Sequence, residues 1–375
     1  MLVDPQLPSA ALLPGRRFLM RYVAVFFITL VILTAGIASD HTTHLDELLY
    51  ISAAKAFLAG VPTTNTEHPP FAKYLIALSI ELFGETPLGF RFASTLAGAF
   101  IALSGFGLAL RLTRSLHSAY VAWLLLLANG FLFVESRSAN LIIFQTAFEV
   151  AGVWAFLIAL ERNTPRWFAC SGILLGLSVA SRWCGVVALV VCAIYALIHF
   201  RRLTQNLFLM AASALATYVI TWIPLLLREH RNLAYIFAAN RYILVHHAQY
   251  AQTMLDQRAS DPWWAWMFRF EQPGSPMQLM ANPVIASLGL IALAALLWNR
   301  KPLLPALYGV HILQWALASS LPEYYYYYLD AFTWLTIALA VAMQNISYKR
   351  ISLDVVITAS ACGSALWPLW AALRY

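Results

Sequence analysis

The chain has 375 residues, 61% of them hydrophobic and 11% charged, with a formal net charge of +7. Soluble domains carry about 45–50% apolar and roughly 25% charged residues, so this composition excludes an ordinary water-soluble fold. A nucleic-acid partner is excluded too, because it would need a basic face on a soluble domain, and here Arg and Lys cluster between apolar runs.

Those runs approach the roughly 20 residues that cross about 30 Å of hydrocarbon as helix. Lipid offers no partner for a backbone N–H or C=O, and no alternating strand pattern is present, so the runs are predicted to be helices. The expectation is an all-α polytopic membrane protein of about eleven spans, forming a single membrane domain over residues 1–375.

The first run, Phe18–Ser39, follows Arg16 and Arg17 and includes Arg21 near its start, which predicts a cytoplasmic N-terminus. A cleaved signal peptide ending within Ala35–Ser39 is the rival reading. The run exceeds a usual signal core, so a retained anchor is expected. Residues 40–84 form the first extracytoplasmic loop, with Phe71–Gly84 as an interfacial helix. Further runs cover Leu88–Leu110, Ala119–Val134, Leu141–Leu160, Trp167–Ala180, Cys184–His199 and Leu207–Leu227. Residues 228–281 make a second long outer loop, and long loops in compact proteins are often functional. The last runs are Pro283–Trp298, Leu303–Ser319, Tyr327–Met343 and Leu353–Leu373.

Charge tests this topology. With alternating spans, Arg111 and Arg114, Arg162 and Arg166, Arg201 and Arg202, Arg300 and Lys301, and Lys349 and Arg350 all fall on inner connections, and the C-terminus lies outside. Cys170, Cys184, Cys192 and Cys362 lie within apolar runs without metal spacing and read as small core residues.

Polar chemistry concentrates in the first outer loop. Asp46 and Glu47 are adjacent carboxylates at the membrane surface, able to take a proton from a hydroxyl or, equally, to favour a helix N-terminus. His41 and His44 share a helical face but lack a metal motif, and no metal or other cofactor is expected. His68-Pro69-Pro70 fixes a stiff, non-helical entry into the next segment. Lys73, Arg91 and Arg182 lie near the outer face, where each could anchor a phosphate or snorkel to headgroups. Trp263, Trp264 and Trp266 suit a sugar-stacking surface or an interfacial belt.

In order along the chain, Asp46-Glu47, His68-Pro69-Pro70 with Lys73, Gly89 with Arg91, Ser181-Arg182-Trp183, Pro262-Trp263-Trp264-Ala265-Trp266, Asn282-Pro283 and Gln314-Trp315 resemble the protein O-mannosyltransferase family. That family lies within the GT-C membrane glycosyltransferases. The resemblance implies a GT-C-like bundle with short helices in its extracytoplasmic loops. It implies transfer of a hexose, mannose by family habit, from a polyprenyl-phosphate donor to a hydroxyl, usually Ser or Thr of a secreted protein. Asp46, with Glu47 beside it, matches the catalytic carboxylate and Arg91 the arginine that meets the donor phosphate. Lys73, Arg182 and His68 are candidates for the same phosphate, and Trp263, Trp264 and Trp266 for the substrate. The second loop is too short for the soluble domain of eukaryotic members, so the compact form that occupies a bacterial plasma membrane is expected.

Two departures stand out. Ile142 occupies a position where the family segment carries an acid, and an aliphatic side chain accepts no hydrogen bond. The arginine expected near Ser320–Glu323 is missing. The rival readings are therefore a lipid or envelope-polysaccharide acceptor, and a non-catalytic membrane partner or transporter. Glu149 is the main acid within a span, a pathway residue or a paired structural group. The sequence leaves a homo- or hetero-dimer open.

Overall fold

The computed structural model describes residues 16–41, 45–63, 65–200, 204–254, 264, 281–317, 325–344 and 352–372. The described regular elements are all helical. In order they are α1 (Arg16–Thr34), α2 (Leu45–Ala59), α3 (Phe71–Phe83), α4 (Pro87–Thr113), α5 (Leu116–Leu127), α6 (Gly130–Glu135), α7 (Leu141–Arg162) and α8 (Pro165–Ser181). There follow α9 (Val186–His199), α10 (Thr204–Ile220), α11 (Ile223–Arg228), α12 (Ala234–Met254), α13 (Pro283–Trp298), α14 (Leu303–Leu317), α15 (Leu329–Met343) and α16 (Ser352–Ala372). A 3₁₀ turn, Tyr325–Tyr328, leads into α15.

Every predicted span carries helix. Among the described residues, five stretches are both long and apolar enough to cross a bilayer: Arg17–Ser39, Pro87–Thr113, Leu141–Arg162, Thr204–Arg228 and Tyr326–Met343. Shorter apolar helices accompany them, so the chain is a multi-pass integral membrane protein, and the long helices alone do not reach the predicted eleven. Two predicted spans are broken. The run Ala119–Val134 divides at Asn129, whose side chain accepts from the Leu132 N–H at 3.1 Å and caps α6. The run Leu207–Leu227 divides before Pro224, which sits in the first turn of α11 where its missing N–H costs nothing.

Caps set other boundaries. Thr86 accepts from the Gly89 N–H at 3.1 Å and Pro87 opens α4. Asn282 caps α13 while its amide donates to the carbonyls of Ala128 and Ala361 at 3.0 and 2.8 Å, tying three segments together.

α7 and α15 form the centre: nearly every residue of both is buried. α7 packs on α4 and α8, α8 on α10, and α15 on α13, α14 and α5. The α8–α10 crossing depends on Gly172 and Gly176. A Cβ at these positions would lie 2.2 Å from the Met210 carbonyl oxygen and 2.5 Å from that of Ala214. Small residues four apart are what lets helix backbones approach this closely in lipid. α1 lies at the edge, with Phe27 and Val31 exposed, as suits a lipid-facing helix.

The two short helices α2 and α3 pack on each other, and α3 packs on α4. With the α6–α7 connection and the turn 325–328 they gather most of the predicted site residues at one end of the bundle.

Candidate active site

Asp46 and Glu47 open α2 side by side, and helical geometry turns adjacent side chains about 100° apart. The two carboxylates therefore have different fates. Glu47 is 0% exposed. Arg91 of α4 grips it with both ends of a fork, Nε to Oε1 at 2.7 Å and Nη2 to Oε2 at 2.9 Å. The Ala139 N–H adds a third bond to Oε1 at 2.9 Å. The remaining Arg91 Nη1 donates to the Asp40 carbonyl at 2.9 Å and faces the Asp40 carboxylate at 3.3 Å.

This geometry bears on two predicted roles. Arg91, matched to a phosphate-binding arginine, directs its guanidinium at Glu47 and Asp40. Glu47, grouped with the catalytic carboxylates, is sealed from solvent and accepts three charge-assisted or backbone bonds. Together they fix the start of α2 against α4 and the α6–α7 connection, and so hold Asp46 in place.

Asp46 is half-buried and receives the Tyr326 hydroxyl on Oδ2. The next residue, Tyr327, lies with its ring 4.0 Å beneath the Arg182 guanidinium carbon and stacks on Trp315 at 4.5 Å. Arg182 is 6% exposed, yet its Nη1 has no hydrogen-bond partner and no carboxylate pairs with it among the described residues. A buried guanidinium with an unused donor is costly and marks a place for an anion. Asp46 and Arg182 thus flank the tyrosine pair, whose rings meet edge to face at 4.7 Å.

Lys73 and His68 shape the neighbouring wall. Lys73 is buried and donates to the carbonyls of Asn65 at 2.6 Å and His68 at 3.1 Å, stapling the turn 65–68. Burial pushes its ammonium down to about 7, with Glu67 opposing. His68 packs near Tyr50 and His247, at ring distances of 6.1 and 5.3 Å. Burial first, then Arg182 and the other nearby cations and histidines, hold its pKa well below the ordinary imidazole value. It is therefore neutral at pH 7 and offers a hydrogen bond, not a charge. His247 Nε2 donates to the Glu67 carbonyl at 3.0 Å.

Sequence reasoning missed Glu135 and Tyr326. Glu135 ends α6, 2% exposed, with Oε2 unpartnered. Burial, reinforced by the nearby Asp46 charge and opposed by an Asn140 hydrogen bond, raises its pKa to about 8. It looked like a loop residue beside Arg137, and no spacing rule links 135 to 46. Tyr326 was hidden in a tyrosine run that an interfacial belt also explains. Among the predicted tryptophans, Trp264 is 57% exposed, while Trp263 and Trp266 lie outside the described residues. His41 is exposed, and His44 also lies outside them.

The helical membrane bundle has the GT-C fold, as its structural neighbours show. ArnT from Cupriavidus metallidurans, in a crystal structure bound to undecaprenyl phosphate, superposes with a TM-score of 0.66 at 18% identity, over 95% of this chain and 66% of that one. The Archaeoglobus fulgidus oligosaccharyltransferase superposes with a TM-score of 0.57 at 15% identity, over 94% and 55%. Within that fold, residues 67–225 match the family model described as dolichyl-phosphate-mannose-protein mannosyltransferase. A polyprenol-phosphate-mannose–protein mannosyltransferase of Mycolicibacterium smegmatis is 37% identical over 142 residues, and one from Corynebacterium glutamicum 31% over 142. The matched stretch is 32% of this chain and spans only 28% and 27% of those relatives. The resemblance to protein O-mannosyltransferases is thus carried by the part of the chain that supplies Lys73, Arg91, Glu135 and Arg182.

Proposed function

We propose that this protein transfers a hexose, mannose by resemblance, from a polyprenyl-phosphate donor to a hydroxyl acceptor, Ser or Thr of a secreted protein. The single observation carrying the proposal is that Asp46 and Arg182 stand on either side of Tyr326 and Tyr327, Asp46 held by the Tyr326 hydroxyl and Arg182 over the Tyr327 ring. A polyprenyl phosphate is already a good leaving group, so catalysis needs preorganised positive charge at that phosphate more than a general acid. Arg182, with its unused N–H, supplies that charge. Asp46 accepts the acceptor's proton as the new oxygen–carbon bond forms. The old carbon–oxygen bond breaks, its electron pair leaves on the phosphate, and attack from the opposite face inverts the anomeric centre.

Arg91 and Glu47 act as positioning residues for Asp46, and Lys73 as the staple of the wall that carries His68. An apolar cavity of about 320 Å³ lined by Phe26, Leu75, Leu82, Phe92, Phe100 and Phe148 suits the donor tail. The basic pairs on the alternate connections support an orientation with this site outside, the N-terminus cytoplasmic and the C-terminus extracytoplasmic, and the family resemblance supplies the bacterial plasma membrane as the setting. We read the whole chain as one membrane domain, in which the exposed Trp264 of the second outer loop is available to an acceptor.

Proteoliposomes loaded with polyprenyl-phosphate-mannose and a Ser/Thr peptide test this reading. Mannosylated peptide from the wild type, and none from Asp46→Asn, is the expected result. A wild type inactive on every hydroxyl acceptor would overturn it. A second reading rests on Ile142, 0% exposed in the first turn of α7 where the family carries an acid. It keeps the fold and assigns a lipid or envelope polysaccharide as acceptor, or a non-catalytic membrane role. Lipid extracts of a deletion strain that lose a glycolipid while secreted-protein glycans persist would favour the lipid acceptor.

A further inference from the structure

Inside the bundle, Glu149 of α7, His311 of α14 and Asp330 of α15 are 0%, 1% and 1% exposed. One ligand-type atom from each lies within 4.8 Å of the other two. The imidazole stands between the carboxylates, with Nε2 2.7 Å from Glu149 Oε1 and Nδ1 3.8 Å from Asp330 Oδ2. Among the described residues no Lys or Arg forms an ion pair with either acid. Two carboxylates in a low-dielectric interior need compensation, and a protonated histidine offsets one charge only. A dication bound to a neutral imidazole and two carboxylates offsets both.

The surroundings fit ligands already held in place. Trp334 Nε1 donates to Glu149 Oε1 at 2.7 Å, Gln145 Nε2 donates to Asp330 Oδ2 at 2.7 Å, and the Thr146 hydroxyl meets Asp330 Oδ1. Outer-shell donors of this kind orient metal ligands. Glu149 Oε2 is buried with no hydrogen-bond partner, as is Gln145 Oε1. Both are acceptor atoms with free lone pairs and no N–H or O–H to take them.

We propose that Glu149, His311 and Asp330 bind a structural divalent transition metal, Zn²⁺ foremost, that clamps α7, α14 and α15. Imidazole with two carboxylates suits zinc better than Mg²⁺ or Ca²⁺, which take mostly oxygen ligands. Bonds of about 2.0–2.2 Å set tetrahedral ligand atoms about 3.4 Å apart, so small side-chain rotations open the Glu149–His311 contact and bring Asp330 closer. Trp315 and Tyr327 form an aromatic cage at the Arg182 guanidinium. His311 is four residues before Trp315 on α14 and Asp330 three residues after Tyr327, so each lies about one helical turn from that cage. The ion therefore sets the spacing of the two helices that carry the cage. The site stands apart from the transfer reading, and its test does not depend on activity.

The full chain is purified in detergent without chelators, dialysed, and its metal content measured by mass spectrometry. The expected result is about one zinc per chain in the wild type, below a tenth in His311→Ala and in Glu149→Gln, and about one in the His41→Ala/His230→Ala variant, which controls for exposed histidines. Stripping with a membrane-permeable chelator lowers the wild-type Tm, and ZnCl₂ restores it. Should the buried variants fail to fold, X-ray absorption at the zinc edge of the wild type reads the coordination directly, with one nitrogen and two or more oxygens expected. Folded wild type without metal, with a Tm indifferent to both chelator and ZnCl₂, would overturn the proposal in favour of a triad neutralised by protons alone.

Discussion

Arg91 closes a two-pronged bond on Glu47, with both groups sealed from solvent, and so joins the start of α2 to α4. The pair sits next to the half-buried Asp46 and fixes where that carboxylate stands. Removing one partner of a buried pair strands the other's charge, which costs about 3–5 kcal/mol. Glu47→Gln and Arg91→Leu are therefore expected to lower the Tm markedly in detergent. The double change Glu47→Leu/Arg91→Met recovers much of the loss, since apolar residues can replace a buried pair. Single variants as stable as the wild type would remove the pair's structural role.

Asp46 predicts the opposite split between stability and rate. Its partial exposure means Asp46→Asn leaves stability within about 1 kcal/mol. The proposed sugar transfer drops by about 10²–10⁴-fold, the range for losing a general base. Tyr326→Phe removes the hydroxyl that holds Asp46, and about a tenfold loss in kcat with little change in donor KM is expected. Radiolabelled transfer under saturating donor separates the two effects.

Arg182 tests the phosphate side. Arg182→Gln removes the charge, and a loss of about 10²–10³-fold is expected, as for a lost oxyanion contact. Arg182→Lys keeps the charge but loses the flat stacking face over Tyr327, so it rescues only part of the rate. Binding of polyprenyl phosphate, followed by intrinsic fluorescence, weakens in the same order. Equal binding in all three proteins would sink this assignment.

Two displaced pKa values give pH signatures of opposite sign. Glu135 titrates near 8 in the fold against 4.5 when exposed, so the folded state holds its proton longer. Stability then falls as pH rises from about 4.5 to 8, by at most about 1.4 kcal/mol per pH unit. Glu135→Gln removes that slope, and its advantage over the wild type grows toward pH 8. Lys73 titrates near 7 against 10.5, so the folded state loses its proton first and stability rises between those values. Lys73→Met removes that rise. Thermal melts from pH 5 to 9 check both, and parallel wild-type and variant curves would contradict the assignments.

The helical membrane class was legible in the sequence, and each apolar run does carry helix, because run length reports directly on hydrocarbon thickness and on backbone hydrogen bonding in lipid. Asp46, Arg91 and Arg182 were also singled out there, through the order of short motifs. Their roles were not: Asp46 and Glu47 are adjacent letters, and only packing against α4 decides that one is sealed on an arginine while the other reaches Tyr326. The breaks at Asn129 and Pro224 inside apolar runs escaped notice because hydropathy averages over a single polar or ring-closed residue. Partners such as Asp46 and Tyr326, or Glu149, His311 and Asp330, stand up to 280 residues apart in the chain. One chain's local pattern carries no information about such meetings, which the tertiary fold alone settles by bringing distant helix ends to a shared depth.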